Sequence, residues 1–280
     1  MDGLLFALLS VLTTALLRVT LKHCVVASES AWPTLILYHI GAALVLLPIL
    51  GIPDLSQLSM VQISLLLATG ALFSLAAFLD ILAMKQIDAS TGEIFHTLTF
   101  IVSLAAGFLM FHEECSALKV LGALIIVVGI VYEARRAIVN ASHGFMCKLG
   151  SAALIATAMI ITKHLTASTP SEIIILSGFI LPGIVYAVLG WRDIKDIPST
   201  IRKSNGLILS VPLLNASSYA FGINALAIGE MSTTYIVFQM TISVVFALEV
   251  LMNGWNKEIY LHRAVSAGLC LFGALIAIFN

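Results

Sequence analysis

Charge is the scarcest property of this chain. Only 10% of its 280 residues are Asp, Glu, Lys or Arg, while 60% are hydrophobic. Soluble domains carry roughly 25% charge. A soluble fold of this length would expose apolar surface over most of its exterior and aggregate, so lipid is the expected solvent. The net charge of −1 offers nothing to nucleic acid. Four cysteines (Cys24, Cys115, Cys147, Cys270) stand far apart without CxxC or metal-ligand spacing, and read as small apolar space-fillers. No phosphate-binding loop is present, and His112-Glu113-Glu114 lacks the second histidine of a zinc-hydrolase helix. No paired nucleophile and base suggests intramembrane catalysis. The expectation is therefore no enzyme, no metal and no cofactor. Met-Asp-Gly at the start, with no basic segment or small-residue cleavage site, gives no cleavable signal peptide.

Apolar length is what the chain has in abundance. A hydrocarbon core needs about 20 apolar residues per helix. Ten such runs are expected, near 3–21, 32–51, 61–84, 90–111, 117–134, 144–165, 172–191, 206–228, 232–252 and 261–279. The fold class is thus an all-α membrane protein. The connections are short, and the longest, 192–205, is basic and polar and is expected on the membrane surface. Ten spans place both termini on one side. Of the 14 Lys and Arg, 12 fall on the opposite side and two, Lys119 and Lys163, on the terminal side. The positive-inside rule then puts both termini outside. This predicts a multi-pass protein of a bacterial inner (plasma) membrane. The Asn140-Ala141-Ser142 sequon would face the cytosol unused.

The runs also repeat. Gly3, Leu8, Ser10, Ala15, Lys22 and His23 recur 141 residues later as Gly144, Leu149, Ser151, Ala156, Lys163 and His164. Residues 83–110 match the stretch 142 residues later at nine of 28 positions. Gly129 aligns with Gly273 at offset 144. Five runs separate the copies, and five is odd, so the copies cross the bilayer in opposite directions. Two inverted five-helix repeats, 1–140 and 141–280, are the expected domains. Inverted repeats are a common construction of membrane transporters.

Residues 113–131 carry Glu113, Ser116, Gly122 and Gly129 in the order E-x-x-(T/S)-x5-G-x6-G. Together with the short linker Ala83-Met84-Lys85-x4-Ser90, this resembles the EamA-like branch of the drug/metabolite transporter superfamily. The resemblance implies ten helices, with the first, third, fourth, sixth, eighth and ninth around a central cavity. Three departures stand out. Thr99-Phe100 and Thr241-Ile242 occupy the region where the family often has proline in its fourth and ninth helices. Asn256-Lys257 stands where the second repeat would carry its glutamate. The family's termini are often placed in the cytosol, against the Lys/Arg count.

Ionisable side chains in hydrocarbon cost several kcal/mol unless they face protein or water. Arg18, His39, Asp80, Glu93, His96 and Glu249 therefore each need a reason, and all lie in a layer roughly 5–10 Å inside the basic side. Their partners at the repeat offsets are uncharged: Met159, Gly222, Tyr235, Phe238 and Gly107 oppose Arg18, Asp80, Glu93, His96 and Glu249. Helical stripes aim Ser10-Thr14-Arg18, Glu93-His96-Phe100-Ser103-Gly107, Asn215-Tyr219-Gly222 and Tyr235-Gln239-Ile242-Phe246-Glu249 at one cavity. Plainer readings compete. Arg18 can snorkel, Glu249 can be interfacial, His39 can be a core histidine, and Glu93 can close a capping box begun at Ser90. The expected pairs are Arg18–Asp80 and Glu93–His96. The candidate substrate- or proton-binding set is Arg18, His39, Asp80, Glu93, His96, Tyr219, Tyr235, Gln239 and Glu249. The glycines Gly122, Gly129, Gly268 and Gly273 read as helix-packing positions, within one chain or across a dimer.

These features point to a secondary carrier of a small organic metabolite, an amino acid or related compound, working by alternating access. Its expected partners are the solute, the lipid bilayer and a coupling proton or counter-solute, in a monomer or weak homodimer. Multidrug efflux is the alternative.

Overall fold

A backbone in hydrocarbon must satisfy its own N–H and C=O groups, and the apolar runs do so as helices. The computed structural model describes residues 2–278 apart from 29, 57, 115 and 141. At 134, 136–140, 142, 257–259 and 278 it describes the backbone only. The helices are α1 (Asp2–Ala27), α2 (Trp32–Leu50), α3 (Met60–Met84), α4 (Ala89–Met110), α5 (Ala117–Asn140), α6 (Ser142–Thr166), α7 (Ser171–Leu189), α8 (Val211–Ile228), α9 (Met231–Asn253) and α10 (Lys257–Ile278). Among the described residues nine helices are long and apolar enough to cross a membrane; α5 is a further helix of 24 residues. The chain is an all-helical, multi-pass membrane protein. The sequon at 140–142 and Cys115 lie outside the described residues. Cys24, Cys147 and Cys270 are free and buried.

The helices differ from the apolar runs mainly at their ends. α1 continues to Ala27, past the polar Lys22 and His23, and α5 continues past residue 134. The expected surface connection is helical. It holds a 3-10 turn at Trp191–Asp196 and a short helix at Ile197–Lys203, which turns Ile197 and Ile201 onto the core and leaves Arg202 exposed.

Three helices are irregular. α2 contains a π-helical turn at Leu37–Gly41. α4 is broken at Thr97 into segments Ala89–His96 and Leu98–Met110, and α9 at Gln239 into Met231–Phe238 and Met240–Asn253. The two breaks are 142 residues apart, the repeat offset, and neither uses proline. Polar side chains bond back to the backbone instead: Thr97 and Thr99 hydroxyls donate to Ile94 and His96 carbonyls, and Gln239 Nε2 donates to the Tyr235 carbonyl at 3.0 Å.

The repeat reappears in the hydrogen bonds. Lys22 on α1 donates to the Met84 and Ile87 carbonyls at the end of α3, at 2.6 and 2.8 Å. Lys163 on α6 donates to the Leu226 and Gly229 carbonyls at the end of α8, both at 2.7 Å. Each lysine satisfies carbonyls that a helix end leaves open, where the helix dipole favours a cation. The two repeats interleave rather than stand side by side: α1 packs on α8, α3 on α6, α5 on α10, and α4 on α9.

Small residues let α5 and α10 meet closely. A Cβ built on Gly122 would lie 2.4 Å from the Gly273 carbonyl oxygen, and one on Gly273 would lie 2.6 Å from that of Gly122. Ser266 Oγ donates to the Gly129 carbonyl at 2.6 Å. These glycines act within the chain. Gly268 does not share the role, since a Cβ there meets nothing described within 4 Å. Gly122→Ala is expected to lower stability by about 1–3 kcal/mol through overpacking, read as an unfolding midpoint in detergent, while Gly268→Ala leaves the midpoint unchanged or raised.

Candidate functional site: a charged cavity between broken helices

Where α4 and α9 break, α1, α6 and α8 leave a cavity of about 180 Å³. Ser10, Thr14 and Arg18 enter it from one stripe of α1, Glu93 and His96 from the first segment of α4, Asn215, Tyr219 and Gly222 from α8, and Tyr235, Phe238 and Gln239 from α9. The break at Thr97 redirects the α4 stripe, so Thr99 reaches the cavity and Phe100, Ser103 and Gly107 do not. A second space of about 120 Å³ adjoins it, sharing Arg18, Tyr38, Phe73 and Tyr219 and adding His39 and Asp80.

Four buried charges gather at this boundary. Arg18 and Lys148 both pair with Asp80. Arg18 Nε lies 2.9 Å and Lys148 Nζ 3.7 Å from Glu93 Oε1. Two acids and two bases cancel, which is how an ion cluster survives at this depth. Arg18 therefore does not snorkel to lipid. The Arg18–Glu93 approach lacks hydrogen-bond geometry, and Arg18 Nε and Glu93 Oε1 have no hydrogen-bond partner among the described residues.

Lys148 was not singled out by sequence reasoning. It stands near the start of its apolar run, where a lysine reads as a membrane-flanking base, yet it is 1% exposed. The available signal was helical phase: Lys148, Ile155 and Met159 share one stripe of α6, and the last two line the cavity.

Several expected contacts form differently. No hydrogen bond joins Glu93 to His96, and His96 Nδ1 has no partner among the described residues. The capping box at Ser90–Glu93 does not form, because Asp88 is the N-cap residue and Glu93 turns inward to Arg18. His39 sits in the π turn of α2 with Nδ1 3.1 Å from the Leu35 carbonyl, which fixes Nδ1 as donor and leaves Nε2 as an acceptor.

Glu249 is outside both cavities. Its Oε1 accepts the Ala89 N–H at the start of α4 at 2.9 Å, and its Oε2 lies 3.8 Å from Arg263 Nη1. Helical phase aimed it at the cavity, but the break at Gln239 and the open helix end beside it decide otherwise. Arg263 also pairs with Asp88. At the opposite end Glu113 accepts the Met231 and Ser232 N–H groups at 2.5 and 2.8 Å, and Lys119 bonds Glu230 at 3.0 Å. That hydrogen bond from Lys119 holds the Glu230 carboxyl below the ordinary glutamate range. Asp88 and Glu230, Ala89 and Met231, and Lys119 and Arg263 are partners at offsets of 142 or 144. Glu249 thus does for Ala89 what Glu113 does for Met231, from a position that does not correspond to it.

Among the described residues no group of three or more His, Cys, Asp or Glu is placed to hold a metal ion. Residues 1–132 match the EamA-like transporter family. No curated protein matches the chain in sequence. One solved crystal structure superposes with a TM-score of 0.68 at 17% identity, over 98% of this chain and 97% of that one, and so shares the fold.

Lys148→Met strands an acid in the buried quartet and is expected to cost about 3–5 kcal/mol. Pairing it with Asp80→Asn should recover much of that loss, giving a coupling energy in a double-mutant cycle of detergent unfolding. Additive losses would exclude the coupling.

Proposed function

We propose that this chain, whose residues 1–132 match the EamA-like transporter family within an all-helical membrane fold, is a secondary carrier for a small organic solute. The carrying observation is the cavity itself: it lies where two broken helices meet, and its wall holds Arg18 and Glu93, two members of a neutral cluster of four buried charges. Discontinuous helices around a site near the midplane are a recurrent construction of secondary transporters. The volume of about 180 Å³ is below the roughly 300–1,000 Å³ of drug-sized sites. That size supports a metabolite such as an amino acid over multidrug efflux, which would bring resistance to many compounds on overexpression.

The wall offers both signs of charge. Arg18 and Glu93 both line the cavity and pair with each other without a hydrogen bond, so a solute carrying an acceptor and a donor can compete for each of them. Tyr38, Phe73, Tyr219, Tyr235 and Phe238 supply apolar wall for a carbon skeleton. His96, unpartnered at Nδ1, is the side chain best placed to carry a proton, since Asp80 is held by two bases. Without a nucleotide-binding motif, the driving force is a solute or proton gradient or exchange. The interleaved packing favours movement of helix segments over separation of two five-helix blocks. The count of Lys and Arg supports a place in a bacterial inner membrane with both termini outside.

A thermal-shift screen against a metabolite panel would identify the solute, because a ligand stabilises the state it binds. Uptake of that solute into proteoliposomes is then expected to fall at least about tenfold in the Asp80→Asn, His96→Ala double variant, as when a polar transport site loses its charge partners. Unaltered uptake would overturn the site assignment.

A further inference from the structure

The two broken helices present the same construction at opposite ends of the molecule. The first segment of α4, Ala89–His96, carries Glu93 and His96 into the cavity; the first segment of α9, Met231–Phe238, carries Tyr235 and Phe238. Each is eight residues long and ends at a break, Thr97 or Gln239, where the regular helix bonding is interrupted. Each begins at an N-terminus capped by a carboxylate from the end of the other broken helix: Glu249 on Ala89, and Glu113 on Met231 and Ser232. A helix N-terminus in lipid has open N–H groups and a positive dipole end, so a carboxylate there is held strongly. At each end a base from the following helix pairs with the segment's N-cap acid, Arg263 with Asp88 and Lys119 with Glu230; Arg263 also lies 3.8 Å from Glu249, and Lys119 bonds the Ser232 hydroxyl.

We propose that these two segments are the gates of the cavity, one for each side of the membrane, each hinged at its break and latched at its N-terminus by the carboxylate and base of the other repeat. The proposal rests on the carrier reading and adds the moving parts. Both latches are closed in this structure. Lys22 and Lys163 tie helix ends within one repeat, α1 to α3 and α6 to α8, whereas both latches join one repeat to the other. Opening the α4 gate breaks its latch and also parts Glu93 from Arg18 and Lys148, while the packing of α1, α3, α6 and α8 on one another stays in place. Gly107 supports the assignment at one end: a Cβ there would lie 2.7 Å from Glu113 Oε2, so the glycine makes room for the latch. The latches differ in their acids. The Arg263 end also holds Glu133, which accepts from Thr91 at 3.3 Å and lies 4.0 Å from Arg263, while residue 277, its partner at offset 144, is Ala277. The two gates therefore open with different ease.

The test places a single cysteine in the cavity, Thr14→Cys, in full-length protein whose four native cysteines are replaced. The probe is a membrane-impermeant maleimide, applied from one side or the other of sealed vesicles of known orientation. Glu249→Gln is expected to raise labelling about tenfold from the side where α4 begins, the change that follows loss of one hydrogen bond to a charged group in a two-state equilibrium. Glu113→Gln is expected to raise it from the opposite side. Asp88→Asn and Glu230→Gln, whose side chains are each 50% exposed, weaken the same latches with less risk to folding and should bias labelling in the same two directions. Variants that raise labelling from the same side, or that fold and leave both rates unaltered, overturn the gates. Side-specific labelling without any solute uptake would instead keep the gates and defeat the carrier reading.

Discussion

Helix ends buried in a membrane have no water to satisfy them, and that constraint organises this molecule. Every N–H or C=O left open by a helix end or break must find a protein partner. Lys22 and Lys163 meet the carbonyls at the ends of α3 and α8; Glu249 and Glu113 meet the amides at the starts of α4 and α9. Three of these partners lie on a different helix and Glu113 in the connection after α4, so satisfying the backbone also sets which helices lie together. The same need arises at both ends of the bundle, at the starts of α4 and α9 and at the ends of α3 and α8. Similar bonds therefore appear twice: the lysines are 141 residues apart and the capped helix starts 142, while the capping glutamates come from positions that do not correspond.

Symmetry ends at the charges. Arg18, Asp80, Glu93 and Lys148 form one buried cluster, while their partners at the repeat offsets are Met159, Gly222, Tyr235 and Ala7. Met159, Gly222 and Tyr235 line the same cavity. In the carrier proposed above, the repeat would supply a symmetric frame for movement around a cavity with a charged side and an aromatic side. A frame with two equivalent ends exposes a cavity to either face; an asymmetric wall holds one orientation of a polar solute.

Length and apolar content made the helices legible in the sequence, and the constant offsets did the same for the repeat. Asp80, flanked by Leu79 and Ile81, plainly required a base, and Arg18 was the one in range. Three features were hidden for physical reasons. The depth of Lys148 depends on where α6 begins relative to the bilayer, which composition does not record. The role of Glu249 depends on a helix start 160 residues away. The breaks at Thr97 and Gln239 arise from side chains bonding back to the backbone, and threonine and glutamine occur in many unbroken helices, so without proline there was no local sign.

Alternating gates are tested most directly by spin-label distances recorded at both ends of the protein in nanodiscs, with Gln86 and Met252 labelled at one end and Met110 and Ile228 at the other. Latched gates that open one at a time predict a short and a long distance at each end, with the two long fractions together never exceeding the whole. A single unchanging distance at both ends, or long fractions that together exceed it, would contradict the mechanism.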